Sequence, residues 1–600
     1  FTPQLPTEDY NGYIDTRLGN YNRRDLEFGV GGAVIPGSDI LTFRVAGQIL
    51  SRDGYTTDTF DGTKLDNENK KNFRGILTIK PIENLSNTTI VQVTRERENN
   101  DGAVLTNVSP AIAPLFPLLQ GQLAAQQALG DRAVLGAFPF HKFISDTTGA
   151  INTTNWRIND NLSVKNIVSF LDSQGEKDWD LSETQVPLLG VENPSIRNHQ
   201  FTEEFQVRGE LGPISGAVGY YYEHTSSPFG INFVEVSPVL FAAAAPANSE
   251  VVAEGSSSIS RGPYAQLDWK VIPRLTLTAG VRYTTDVLSN EPTGTGLAAF
   301  PPTPVLSGVA FQFAPGERTT FNTPTWNFAA DYTIDPNMNL YGHISRGYKQ
   351  GGFNGTAPSG LQEYLPEFVT DYEGGVKGRF NFGGWQATYD LDGFYDDYKN
   401  IQRDENVTLP TGAVATVIQN AAAGSIDGVE FQLTVVPSRY LRVTAGYTYM
   451  SAKYSSFDGG VGVGDVSRSR FPNTPTHQLT ITPLFTIPIP ESIGRLTAQA
   501  NIYYQSSYAT DAYNVLNGSP TVDLDVPGAN APGYTRVDLR VDLRNIYGTG
   551  VSVALYGQNV FNKKYIVGTD NQLNTFGVET ALFSPPPFYG IELRYEFGGR

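Results

Sequence analysis

The chain has 600 residues, a formal net charge of −18 and no cysteine. That charge argues against a nucleic-acid binder, which needs a basic patch to meet phosphates. The lack of cysteine excludes thiol catalysis, disulfide scaffolds and cysteine-ligated zinc. Apolar residues make up only 40% of the chain while aromatics reach 12%, a balance that suits strands with one oily and one wet face. A single soluble core rarely grows past about 250–300 residues, yet no linker or change of composition divides this sequence. One closed sheet, which lengthens by adding strands, reconciles the two. No apolar run reaches the roughly 18 residues of a membrane-crossing helix, and the opening FTPQLPTEDY is not a signal peptide.

From the N-terminus onward, turn-forming stretches alternate with long polar ones. PGSD (36–39), IENL (82–85), NDNL (159–162), LGP (211–213), IPR (272–274), DPNM (335–338) and YGTG (547–550) read as tight turns. Long connections are expected at 51–68, 101–146, 180–195, 229–256, 288–317, 352–365, 455–470 and 511–530. Within the second, LLQGQLAAQQALGDR reads as a short helix. It either caps the mouth of the sheet or lies on a membrane or partner, though its charge is low for an interfacial helix.

The segments in between alternate with period two. LTLTAGVRY (275–283) sets Thr276, Thr278, Gly280 and Arg282 against apolar neighbours. LRVTAGYTY (441–449) repeats this with Arg442, and LTAQANIYY (496–504) with Thr497, Gln499 and Asn501. VDLRVDLR (537–544) carries Asp538, Arg540, Asp542 and Arg544 on its wet face, and YGIELRYEF (589–597) carries Glu592, Arg594 and Glu596. Such segments are two-faced strands. About 22 of them, joined by tight turns and long loops in alternation, predict a transmembrane antiparallel β-barrel of all-β class, with short periplasmic turns and long extracellular loops. Aromatics near strand ends (Tyr220, Tyr221 and Tyr222; Tyr503 and Tyr504; Tyr589, Tyr595 and Phe597) suit girdles at the two lipid–water interfaces, or ordinary cross-strand packing. A propeller would repeat every 40 or so residues, and no such repeat is present.

Five stretches resemble the barrel of TonB-dependent receptors, the energised outer-membrane transporters of Gram-negative bacteria. They are NLYGHISRGYKQGGFNG (339–355), LPEFVTDYEGGVKGRF (365–380), NAAAGSIDGVEFQL (420–433), GQNVFNKKY (557–565) and PPPFYGIELRYEF (585–597), in the family's order; NGYIDTRLGNYNRRD (11–25) is similar to its first strands. The resemblance implies a barrel over 11–597, with 1–10 the remnant of a junction to a plug domain and 598–600 a tail. Neither the plug nor the box that binds TonB is expected within the chain. It further implies uptake of a ferric siderophore or another iron complex, with TonB-ExbB-ExbD as the energy source acting through the plug. Lipopolysaccharide and phospholipid would surround a monomeric barrel. Cobalamin, haem or oligosaccharide uptake, and a passive porin, are the alternatives.

No catalytic motif appears, so no enzyme activity and no cofactor is assigned. The five histidines are scattered and no metal site is assigned, with His343 expected in the lumen or at an interface. The acidic stretch DGTKLDNEN (61–69) offers oxygen ligands of the kind Ca²⁺ takes, or is a solvated loop. Arginines on the wet faces could draw an anionic ligand or pair with lumen carboxylates. Flat rings suit catechol, porphyrin or sugar faces, which makes the loop aromatics Tyr55, Phe60, Trp179, Phe229, Phe311 and Phe353 the candidate ligand contacts.

Overall fold

A strand whose alternate side chains are apolar presents one face to hydrocarbon and one to water, and its backbone groups must still be paired. The computed structural model resolves this into a single sheet of 22 antiparallel strands. It describes residues 3–598 apart from 110–118, 140, 181–182, 186–188, 237–247, 299–316, 355–361, 409–413, 460–463, 513–528 and 573–576. Each barrel strand pairs with its successor in the chain. The first, Asn11–Gly19, pairs with the last, Phe588–Phe597, in the register Gly12↔Phe597 to Gly19↔Gly590. The sheet therefore has no free edge.

The two faces follow the alternation. On the last strand Tyr589, Ile591, Leu593, Tyr595 and Phe597 are exposed while Glu592 is buried. On its neighbour Ile14 and Leu18 are exposed and Asp15 is buried. Large apolar side chains thus line the outside and charged ones the lumen. Tyr220 and Tyr504 face outward. Tyr221 and Tyr503 point inward instead, because adjacent residues of a strand lie on opposite faces.

Every turn predicted from the sequence falls between successive barrel strands at one rim, for example between Ile82 and Leu85 and between Leu211 and Ile214. A further one joins Phe382 to Trp385 through Gly383 (φ 58°) and Gly384 (φ 86°). Two successive positive φ angles are the requirement of a tight hairpin turn, which only glycine meets without strain.

The other rim corrects the loop boundaries. Residues expected in long loops continue as paired strand in Leu189–Leu211, Ile214–Val236, Asn248–Ile272 and Leu275–Ala298; Trp385–Thr408 and Val414–Ser438, where no long loop was expected, are as long, and all six run 23–25 residues. A membrane strand needs only about 9–11. The excess ladder, such as Val236↔Asn248, stands beyond the lipid. Within the loop of 100–141 the expected helix is present as Gln120–Leu129. It packs inward through Leu119, buried with Leu105 and Val578. Gln126 is also buried, donating to the Gly130 and Ala133 carbonyls at 2.8 and 2.7 Å. The helix is part of a folded cap rather than a membrane-lying segment. Its companion is a three-stranded loop sheet of Val104–Val108, Ile566–Gln572 and Val578–Phe583.

A charge moved to the oily face tests this orientation. Leu593→Arg, at the middle of the last strand, is expected to cost about 2–4 kcal/mol of stability in a bilayer, read by reversible urea unfolding in lipid vesicles. Phe60→Arg, in an exposed loop position, should change it by less than about 0.5 kcal/mol.

Candidate functional site: lumen and outer mouth

The lumen is a wall of paired charges. Where the last strands meet the first, Arg540 forks onto Glu592, with Nη2 to Oε1 at 2.8 Å and Nη1 to Oε2 at 3.1 Å. Its Nε donates to Asp542 at 3.0 Å. Arg17 Nε reaches the same Glu592 at 2.9 Å. Arg594 bridges Asp15 (3.4 Å) and Glu596 (2.8 Å), Arg544 meets Asp542 (3.5 Å), and Arg536 meets Asp538 (3.2 Å). Seven of the nine lumen charges expected from the sequence thus gather at the seam, in bidentate and shared contacts that favour arginine over lysine. The other two stand apart. Arg282 lies 5.0 Å from the Tyr221 ring centre and donates to Thr284. Arg442 is exposed, opposite Leu484 in the register. Arg282 also lines a hollow of the wall, about 1010 Å³, with Glu204, Arg208 and Tyr264. That hollow lies toward the tight-turn rim, away from the mouth.

A second patch joins Met338–Lys349, Glu367–Phe382 and Trp385–Thr408. Their registers, His343↔Glu373 and Glu373↔Phe394, bring His343, Asp371, Glu373, Asp390 and Asp392 to one face. His343, Asp371 and Glu373 each place one donor atom within 4.8 Å of the others, as a metal would require. Here the donors are turned on each other and on a tyrosine: His343 Nε2 meets Asp371 at 2.7 Å, and the Tyr341 hydroxyl donates to Glu373 at 2.8 Å. Sequence reasoning did not expect the histidine to converge with two carboxylates, since the register that aligns them leaves no local signal.

At the long-loop rim the six predicted aromatics do not form one site among the described residues. Tyr55 packs edge-on to Tyr21 at 6.1 Å and tilted against Phe588 at 6.0 Å, between Arg52 and Arg132 at 5.1 and 5.2 Å. Burial pushes its phenol pKa above the ordinary value. Phe60 is exposed on its loop. Trp179 and Phe229 lie in strands Leu162–Asp180 and Ile214–Val236 rather than in loops. Phe353 belongs to a two-residue hairpin with Glu363 and Tyr364, and Phe311 lies outside the described residues.

Two ring clusters escaped the sequence reading. Tyr454 stacks on Phe471 at 4.0 Å under Arg403, but both rings are buried and form a loop core. Tyr534 stacks on Tyr565 at 3.9 Å and 6°, with Tyr503 at 5.9 Å. Arg536 donates to the Tyr565 hydroxyl at 3.4 Å. These half-buried rings sit on the inner face of the mouth, since Arg536 shares its side of the strand with Asp538 and Arg540. Tyr503 was visible as a strand-end aromatic; Tyr534 and the approach of Tyr565 from a distant loop were not.

A family model described as "TonB dependent receptor-like, beta-barrel" matches residues 10–560. Among solved structures, the ferric yersiniabactin uptake receptor FyuA from Yersinia pestis superposes with a TM-score of 0.76 at 14% identity, over 99% of this chain and 81% of that one. The siderophore receptor PiuA from Acinetobacter baumannii gives 0.73 at 13%, over 99% and 82%. The closed form of the ferric-catecholate import receptor Fiu from E. coli K12 gives 0.71 at 14%, over 99% and 82%. At these identities the likeness is one of fold.

The seam network can be weighed directly. Arg540→Met leaves Glu592 and Asp542, both about 7% exposed, short of a charged donor, and should cost about 1.5–3 kcal/mol. In a double-mutant cycle with Glu592→Gln, part of that cost should be recovered; strictly additive losses would show that the fork contributes nothing.

Proposed function

The chain belongs to the TonB dependent receptor-like β-barrel family, and we propose that it is the barrel of an outer-membrane transporter that takes up a ferric siderophore or a related iron complex, powered through TonB. The observation that carries this reading is the inner ledge of the mouth, where Tyr503, Tyr534 and Tyr565 are gathered with Arg536. Flat rings stack on the aromatic or chelate faces of such ligands. A guanidinium attracts their negative charge, and does so more strongly where water is partly excluded.

The lumen below supports a gated path rather than an apolar one. Its charges are paired across strands, so a hydrated solute passes between fixed dipoles without meeting an apolar wall. The same charges offer docking points to a folded plug domain. In this reading residues 11–597 are the wall of the transporter, 1–10 the junction to the plug and 598–600 a tail. Ligand bound at the ledge is held above the plug until force relayed by the TonB-ExbB-ExbD complex opens a route.

Cells lacking their own iron receptors and expressing the full-length protein are expected to accumulate ⁵⁵Fe presented as a ferric catecholate or hydroxamate, and to stop when TonB is deleted. Tyr534→Ala and Tyr565→Ala should each weaken binding about two- to tenfold, the worth of one aromatic contact. Cells that take up cobalamin or an oligosaccharide, but none of the iron complexes, would overturn the ligand class. Uptake that continues without TonB would overturn the energised mechanism.

A further inference from the structure

The outer faces of two neighbouring strands, Glu68–Ile82 and Leu85–Asn99, end in the same way. Counting from their tight turn, Ile82, Ile79, Leu77 and Phe73 are exposed apolar side chains of the first strand. Residues 73–82 match the length that a barrel strand needs to cross hydrocarbon, about 9–11 residues. The next outward side chain is Lys71. On the second strand Val91 is exposed, Val93 follows it on the same face, and the next is Arg95. Lys71 and Arg95 are both exposed and stand directly opposite each other in the register. Neither forms an ion pair among the described residues. Asp146, across from Arg95 on the following strand, is held by Arg97 at 2.6 Å. One step along the same ladder, on the lumen side, Lys70 faces Glu96 and pairs with it. Adjacent rungs of one ladder are thus neutral inside and doubly positive outside. Like charges directly opposite on neighbouring strands destabilise a sheet, so the outer rung is unfavourable until an anion joins it.

Below the two cations the apolar surface is dented. Gly75 shares a row with the exposed Val45 and Val91. A Cβ built on it would meet nothing within 4 Å. Phe73 and Leu77, on the same strand and face, stand on either side of it along the chain. The dent is a shallow apolar slot that leads down from the charged rung into the lipid zone.

We propose that the Lys71–Arg95 rung and the slot at Gly75 bind lipopolysaccharide of the outer leaflet, the cations on the phosphates of its sugar head and an acyl chain along the slot. Charge complementarity selects this occupant. Two unpaired cations side by side suit a head with more than one phosphate, and an arginine beside a lysine offers a planar fork and a point charge to such groups. The rung lies at the end of the apolar span on the long-loop side, which faces the cell exterior in barrels of this type. A cation at the membrane surface gains most from anionic lipid there, within a Debye length of the headgroups. The site is separate from the tyrosine ledge, which is on the inner face of the mouth, and does not depend on what the receptor transports.

The test uses the full-length receptor in detergent, freed of lipid and titrated with diphosphorylated lipid A, followed by native mass spectrometry and thermal unfolding. A retained lipid A and a rise in melting temperature that shrinks with added salt are expected. Lys71→Gln combined with Arg95→Gln should weaken the binding about tenfold or more. Without lipid this double variant should melt no lower than the parent, because it removes a repulsion. If it does not fold, Lys71→Gln alone gives the same test with a loss of about threefold. Lys70→Gln, on the lumen side of the same ladder, should leave lipid A binding unchanged. No binding by the parent, or binding that survives in the outer-face variants, would overturn the site. Phosphatidylglycerol or dephosphorylated lipid A binding equally well would overturn the choice of lipid.

Discussion

Nothing in hydrocarbon can pair with a bare amide or carbonyl, and the architecture follows from that constraint. A helix solves it within one segment; a sheet solves it only by closing. Closure here joins Asn11–Gly19 to Phe588–Phe597, the two ends of the chain, so each strand depends on the last one arriving. The seam also carries a linked group of lumen charges. Arg17, Asp15, Arg540, Asp542, Glu592 and Arg594 form one network over the strands that make the closing contact. Backbone pairing specifies that the ends meet. The side-chain network adds a register-dependent contact, because a slip of one residue would turn Glu592 into lipid.

The strands inside the membrane were legible because their environment is two-sided. Thr276, Thr278 and Arg282 alternate with Leu275, Leu277 and Val281 since one face meets water and the other lipid. The same strand goes on to Ala298 through TDVLSNEPTGTGLA, past the length a membrane strand needs, where lipid no longer imposes an alternation. Strand there reads as loop. The tight turns were legible for a related reason: glycine, proline and asparagine answer a local backbone demand that does not depend on distant residues.

Sites assembled from separate loops left no such trace. Thr106 donates to the Glu579 carbonyl across 473 positions of sequence, and nothing near either residue announces the other. Tyr565 stacks on Tyr534 by the same kind of convergence. Composition could say that Tyr55 and Phe60 lie in loops. It could not say that one would be wedged between two arginines and the other left in solvent. Fold was therefore readable from periodicity, while the mouth was readable only as an inventory of residue types.

The overlong strands carry a consequence for ligand capture. Strands of 23–25 residues, at about 3.3 Å per residue, are roughly 80 Å long before tilt, well over the membrane's thickness. The vestibule above the lipid is thus walled on these sides by hydrogen-bonded ladder instead of free loop. A ligand entering it meets a surface whose backbone entropy was spent when the protein folded. Less ordering remains for the moment of binding, so more of each contact is retained as affinity. On these sides the wall moves only if paired strands part.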